Sequence, residues 1–243
     1  MSVRPVLVAC AHGTRNPAGA GAVHDLVGAV RAAAPSLDVR EAFVDVQQPE
    51  VDDVVAGCQA PAVVVPLLLA AGFHVHVDIA RAIDGRDAVR TDPLGCDPAL
   101  MALLVDRLRA AGSRPGDAVV LAAAGSSDPR AKREVGRAAH LLGTMLGGPV
   151  RVGYVASGAP TVPQQVASLR AQWPQARVAV ASYLLAPGIF WNRLFEAGAD
   201  VVSDPLLLPG TPPDARLVDL VLRRHASGTT ALTASHTSLP SAI

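Results

Sequence analysis

Three positions in the first half of the chain carry groups that can bind a metal ion or move a proton: His12, Asp45 and His74. Two imidazoles and a carboxylate suit a divalent first-row ion such as Fe²⁺, Co²⁺ or Ni²⁺, which takes nitrogen and oxygen donors and keeps positions open for a second ligand. The same groups can pass protons, because a neutral imidazole accepts one near neutral pH and a neighbouring carboxylate orients the ring. Each has a plainer reading. A single His after a strand is more often a hydrogen-bonded structural residue, and an Asp there often only forms a turn. His76 fits either a further ligand or the solvated first turn of a helix, and the second is favoured.

A second group of residues could hold an anion. Gly13, Thr14, Arg15 and Asn16 form a polar loop entering a helix N-terminus, where N–H groups and the helix dipole favour negative charge. Gly125, Ser126, Ser127, Asp128, Pro129 and Arg130 form a matching loop in the second half. Such loops also simply cap helices. Arg15, Arg81, Arg130 and Arg193 could clamp carboxylates, although any one of them also reads as an ordinary surface residue.

These residues must be positioned by an alternation of short apolar runs and amphipathic stretches, the βαβ rhythm of a parallel sheet covered on both faces. The expected strands run over 5–11, 39–44, 62–69 and near Val89, then over 118–124, 150–156, 178–185 and near Val201. The clearest helices are expected over 22–34, 99–111, 132–146, 162–172 and 215–224. The halves repeat each other in blocks offset by 111 to 116 residues: Ala11-His12-Gly13-Thr14 against Ala123-Ala124-Gly125-Ser126, Phe43-Val44-Asp45 against Tyr154-Val155-Ala156, and Gly72-Phe73-His74 against Gly188-Ile189-Phe190. The expected fold is therefore α/β, with a first lobe over 1–113, a second over 114–225, and a disordered Ala/Ser/Thr-rich tail over 226–243. The duplication acts as an internal control. His12 is matched by Ala124, Asp45 by Ala156 and His74 by Phe190, so the first lobe is polar at three places where the second is not. All three fall at or just past the carboxyl end of an expected strand, the edge at which open α/β sheets bind ligands.

Composition excludes several classes. Half of the 243 residues are hydrophobic, and 21 basic side chains balance 21 acidic ones. That gives no basic footprint for nucleic acid. The apolar runs 60–73 and 178–192, of 14 and 15 residues and broken by prolines or glycines, fall short of the ~20 that a membrane-spanning helix needs. Cys10, Cys58 and Cys96 are odd in number and widely spaced, which argues against a disulfide framework, a zinc knuckle or an iron-sulfur cluster. With no signal-peptide pattern at the N-terminus, a cytoplasmic location is expected. Lys132 is the only lysine; the other 20 basic residues are arginines.

The motifs together resemble the class II tetrapyrrole chelatases, the sirohydrochlorin cobalt- and ferrochelatases. The pieces that carry the resemblance are Ala11-His12-Gly13-Thr14-Arg15, Phe43-Val44-Asp45 with Pro49, and the run from Pro66 through Gly72-Phe73-His74 to Asp78-Ile79. The resemblance implies two flavodoxin-like, chelatase-like lobes, each with a mainly parallel four-stranded sheet flanked by helices. It also implies insertion of a divalent metal, supplied as substrate, into a metal-free tetrapyrrole without ATP or any nucleotide. His12 and His74 stand where the family's histidines bind metal and remove pyrrole protons; Asp45 stands where Glu is usual. Thr14, Arg15, Gly125 and Ser126 are the expected substrate contacts, and Phe73, Phe190 and Trp191 could lie against the ring. Fe²⁺ and a siroheme product are favoured over Co²⁺, and a two-lobed monomer is expected.

Two other functions compete. Ala11-His12-Gly13 is similar to the Arg-His-Gly motif of histidine phosphatases, but Ala11 replaces the arginine that would hold phosphate. A non-catalytic carrier of metal or tetrapyrrole would use the same residues as a chelatase.

Overall fold

Side-chain alternation explains the strands. In β1 (Val6–Ala11), Leu7, Ala9 and Ala11 enter one core cluster while Val6, Val8 and Cys10 enter another, so every position is buried. A strand covered on both faces reads as a continuous apolar run, which is why alternation is invisible in the sequence. The computed structural model describes residues 4–70, 72 and 77–237.

In the first sheet β1 is joined by β2 (Val39–Phe43), β3 (Ala62–Pro66) and β4 (Ala88–Arg90), all parallel, in the order β2-β1-β3-β4. The second sheet repeats this with β5 (Ala118–Gly125), β6 (Val150–Ser157), β7 (Val178–Tyr183) and β8 (Val201–Val202), in the order β6-β5-β7-β8. Even an irregular detail recurs: Phe43 N–H donates to Pro49 O and Tyr154 N–H to Pro160 O, each at 3.0 Å. The duplicated α/β architecture expected from the sequence is thus the fold.

The helices among the described residues are α1 (Pro17–Ala33), α2 (Val51–Ala56), α3 (Asp78–Ile83), α4 (Pro98–Ala110), α5 (Pro129–Leu146), α6 (Val162–Gln172), α7 (Ile189–Leu194) and α8 (Ala215–Thr237). None is long and apolar enough to cross a membrane. Helices α1 and α5 start alike, with Asn16 and Asp128 as side-chain caps followed by Pro17 and Pro129. Helices α2 and α3 cover the outer face of the first sheet, and α6 and α7 cover that of the second. The inner faces share one core that runs between the lobes, from Leu7 and Val63 to Leu121 and Ala181.

Each lobe closes that core with a helix from the other. Helix α4, which ends the first half, packs on β7 and α5, while α8, which ends the second, packs on β3, β4 and α1. The exchange corrects one expectation: residues 226–237 are not a disordered tail but the second half of α8, and 238–243 lie outside the described residues. Val221, His225, Gly228 and Leu232 recur at helical spacing toward the first lobe. Val221 and Leu232 are buried. At Gly228 an added Cβ would meet Val63 Cγ1 at 2.4 Å, so glycine lets the helix reach the sheet. The threonines that argue against a helix are satisfied within it: Thr229, Thr230 and Thr233 each donate to the carbonyl four residues back at 3.0 to 3.1 Å.

His225 ties this helix to the start of the chain, its Nε2 lying 3.1 Å from Pro5 O. Burial pushes the His225 pKa below its ordinary value, against a smaller opposing effect of that hydrogen bond. Because the folded pKa is depressed, the unfolded chain takes up the proton first on acidification. The stability contributed by neutral His225 is therefore complete above the ordinary histidine pKa of ~6.5 and is lost as pH falls through it toward the folded value. Thermal unfolding midpoints of the parent should fall between about pH 7 and pH 5, and His225→Gln should flatten that fall. An identical slope in both proteins would remove His225 as its source.

Candidate active site

The turn after β1 is built by close approach. Gly13 has φ +95°, and a Cβ there would stand 2.0 Å from Asp45 O, so only glycine lets this turn press against the one that follows β2. Val44 N–H donates to Ala11 O and Asp45 N–H donates to His12 O, both at 3.0 Å. Thr14 N–H donates to Gln47 Oε1 at 2.8 Å. His12 is thus held through its backbone, with its imidazole exposed and Nδ1 3.3 Å from Gly13 O. The second lobe repeats the device at Gly125, φ +102°, against Ser157 O.

The carboxyl ends of β1 and β3 meet those of β5 and β7 across a cavity of about 710 Å³. That lies within the roughly 300–1,000 Å³ typical of ligand sites. One wall carries Ala11, His12, Gly13, Thr14 and Gln47; the facing wall carries Gly125, Ser126, Ser127 and Lys132. Leu67–Leu69 and Leu184–Leu185 line it between them. The apolar runs therefore outlast the strands, which stop at Pro66 and Tyr183, because the leucines that follow form the cavity wall.

Of the residues singled out in the sequence, His12, Thr14, Gly125, Ser126, Phe190 and Trp191 line this cavity. His74, His76 and Phe73 lie outside the described residues. Asp45 comes next to His12 through its backbone; its exposed carboxylate accepts from Val46 N–H at 2.7 Å, and its carbonyl accepts from Gln47 N–H at 2.7 Å, which closes the turn. Among the described residues no group of three His, Cys, Asp or Glu stands ready to hold a metal. Arg15, Arg81, Arg130 and Arg193 are not part of the cavity wall, and Arg130 pairs with Asp128 at 2.9 Å. Cys10 belongs to the outer core: burial, with the charge of Asp78 added, pushes its thiol up to about 12, so it packs rather than ligates.

Gln47, Lys132 and Tyr183 also line the cavity, and none of them carries a signal in the sequence that places it there. Gln47 and Lys132 have no motif of their own, and only the folded loops bring them to the cavity. Tyr183 ends β7 and is buried, and its hydroxyl donates to Leu69 O and accepts from Cys96 N–H, each at 3.0 Å. Burial pushes its pKa up, which keeps the phenol a donor. One hydroxyl of the second lobe thus fixes two backbone groups of the first beside the cavity. Tyr183→Phe should lower stability by about 1–3 kcal/mol through the unpaired groups, measured by urea unfolding. A loss within ~0.5 kcal/mol, the range of an ordinary surface change, would show that the link is dispensable.

Comparison with known proteins agrees with this geometry. The CbiX family model matches residues 6–111 and 118–204, one segment per sheet. The chain belongs to the CbiX family. It is a class II chelatase by family, as its motifs imply. A sirohydrochlorin ferrochelatase of Priestia megaterium is 27% identical over 216 residues, covering 82% of this chain and 79% of that one. A probable sirohydrochlorin cobaltochelatase of Halobacterium salinarum is 31% identical over 131 residues, or 46% of this chain and 44% of that one. In fold, the CbiX-family chain is similar to SirB from Bacillus subtilis, solved with Fe³⁺, at a TM-score of 0.76 and 22% identity, covering 96% of this chain and 98% of that one.

Proposed function

We propose that this chain is a sirohydrochlorin chelatase that inserts Fe²⁺ into the metal-free macrocycle to give siroheme, without ATP. The observation that carries the reading is the cavity between the sheet ends, with His12 on its wall and an alanine, Ala124, at the matching place in the other lobe. A flat macrocycle resists metal entry because two inner N–H protons must leave and the ion must shed water. A histidine pair at the ring can do both jobs, holding the partly dehydrated ion and accepting protons as the ring nitrogens take over coordination. We assign these roles to His12 and His74. Asp45 fits best as the residue that sets the His12 turn, and its carboxylate as the weaker candidate for a ligand. Thr14, Gly125 and Ser126 are the proposed contacts to the macrocycle, and Phe190 and Trp191 the proposed contacts to its plane.

Donor type does not choose the metal, since affinity at such sites follows Fe²⁺ < Co²⁺ < Ni²⁺ whatever the physiological ion. The iron reading draws its support from the relative named for iron, which matches along 82% of the chain at 27% identity; the one named for cobalt matches along 46% at 31%. Cobalt insertion is the second reading, and a carrier the third. Anaerobic initial rates with sirohydrochlorin and saturating Fe²⁺ or Co²⁺ separate the first two. A higher kcat/KM for Fe²⁺ supports the iron assignment, and a higher one for Co²⁺ replaces it.

A further inference from the structure

The cavity wall has a second asymmetry, in charge. Among the described residues that line it there is no Asp, Glu or Arg; Lys132 is its formal cation, and it is also the only lysine in the chain. It sits in the first turn of α5 and is exposed, and among the described residues it enters no ion pair. Arg130, two residues earlier, is instead held by Asp128. The duplication gives the matching position: Gly13 and Pro17 align with Gly125 and Pro129, which sets Ala20 against Lys132. Around it the apolar lining is retained on both sides, Gly19 and Val23 against Ala131 and Val135.

We infer that Lys132 binds a carboxylate on the rim of the tetrapyrrole and so fixes which edge of the macrocycle faces the second lobe. The inference rests on the chelatase reading and names the charged contact within it. A near-symmetric cleft offers a near-symmetric ring two orientations. A single ammonium on the wall opposite His12, with no acid among the described residues that line the cavity, favours the one that places an acidic side chain against it. An ammonium is a point charge without the fork geometry of arginine, so it demands charge rather than a fixed angle, and a lysine-to-arginine change keeps what matters. The hydroxyl of Ser127, on the same wall, can donate a second hydrogen bond to that carboxylate.

The test compares the parent with Lys132→Gln and Lys132→Arg, using metal-free sirohydrochlorin and its fully esterified form at several ionic strengths. Binding without metal and steady-state insertion are both read by absorbance. Lys132→Gln should raise Kd and KM for sirohydrochlorin roughly tenfold, the scale of one charge-assisted contact, with a smaller change in kcat. It should also flatten the salt dependence and leave the ester unaffected, while Lys132→Arg retains most of the affinity. Parent-like affinity and salt dependence in Lys132→Gln, with the parent active, would overturn the role of Lys132 alone. A parent that neither binds nor metallates sirohydrochlorin would overturn the chelatase reading and this inference with it.

Discussion

His12→Ala is expected to lower the rate of metal insertion by roughly 10²- to 10⁴-fold, the range associated with a positioned proton acceptor, and by more if metal delivery is also lost. Folding should be unaffected. The imidazole is exposed, and the turn that carries it is set by backbone groups, with Asp45 N–H on His12 O and the close approach at Gly13. An unchanged thermal midpoint beside the lost rate is therefore part of the expected result. His74→Ala should behave similarly. Adding Ala124→His to the His12→Ala variant should restore nothing, because the second lobe has Phe190 where the first has His74. Full activity in either single variant would remove that residue from the mechanism.

Removal of the second half of α8 is expected to have the largest effect on stability. A chain ended at Arg224 would uncover β3 and β4 on the face that α8 covers, and it would lose the His225 contact with Pro5. Such a chain should unfold far below the parent or fail to accumulate. Two milder variants keep the test quantitative. Leu232→Ala removes a side chain that is 5% exposed and should cost about 2–5 kcal/mol. Gly228→Ala forces a methyl against Val63 and Thr91 and should cost roughly 1–3 kcal/mol. Urea unfolding of the three proteins measures the set. Parent-like stability in all of them would mean that residues 225–237 do not hold the first lobe together.

That helix also shows where sequence reading stops. The strands and their duplication were legible because parallel strands buried on both faces write themselves as apolar runs, and because the loops around Gly13 and Gly125 keep the same residue types. The outer half of α8 was not. Its Gly, Ser and Thr residues have poor intrinsic helix propensity, and what overrides them is packing on a sheet more than 130 residues earlier in the chain. Local propensity carries no information about that partner. The exchange of α4 and α8 between lobes was hidden for the same reason, since helical periodicity says which face is buried but not against what.

The candidate site was legible to a similar depth. His12 could be picked out because its counterpart is alanine, and the end of β1 placed it at the ligand-binding edge. Lys132 breaks the same symmetry against Ala20, but position 132 lies within a predicted helix rather than at a strand end, so nothing local marked it. Arginines with the right chemistry for carboxylates drew attention instead, and the structure leaves Arg15, Arg81, Arg130 and Arg193 outside the cavity wall. Charge type says nothing of position relative to the paired sheet ends, which is what decides whether a side chain lines the cavity. Asp45 shows the converse, a residue whose backbone lies beside His12 while one oxygen of its exposed carboxylate accepts from Val46 N–H.

The most direct test of the account is an anaerobic absorbance time course with metal-free sirohydrochlorin and Fe²⁺ in large excess over protein, against a control without protein and against His12→Ala. Many equivalents of metallated product per chain are expected, with a rate near the control in the variant. Product that stops at one equivalent would make the protein a carrier, and a rate no higher than the control would contradict the assignment of chelatase chemistry to this cleft.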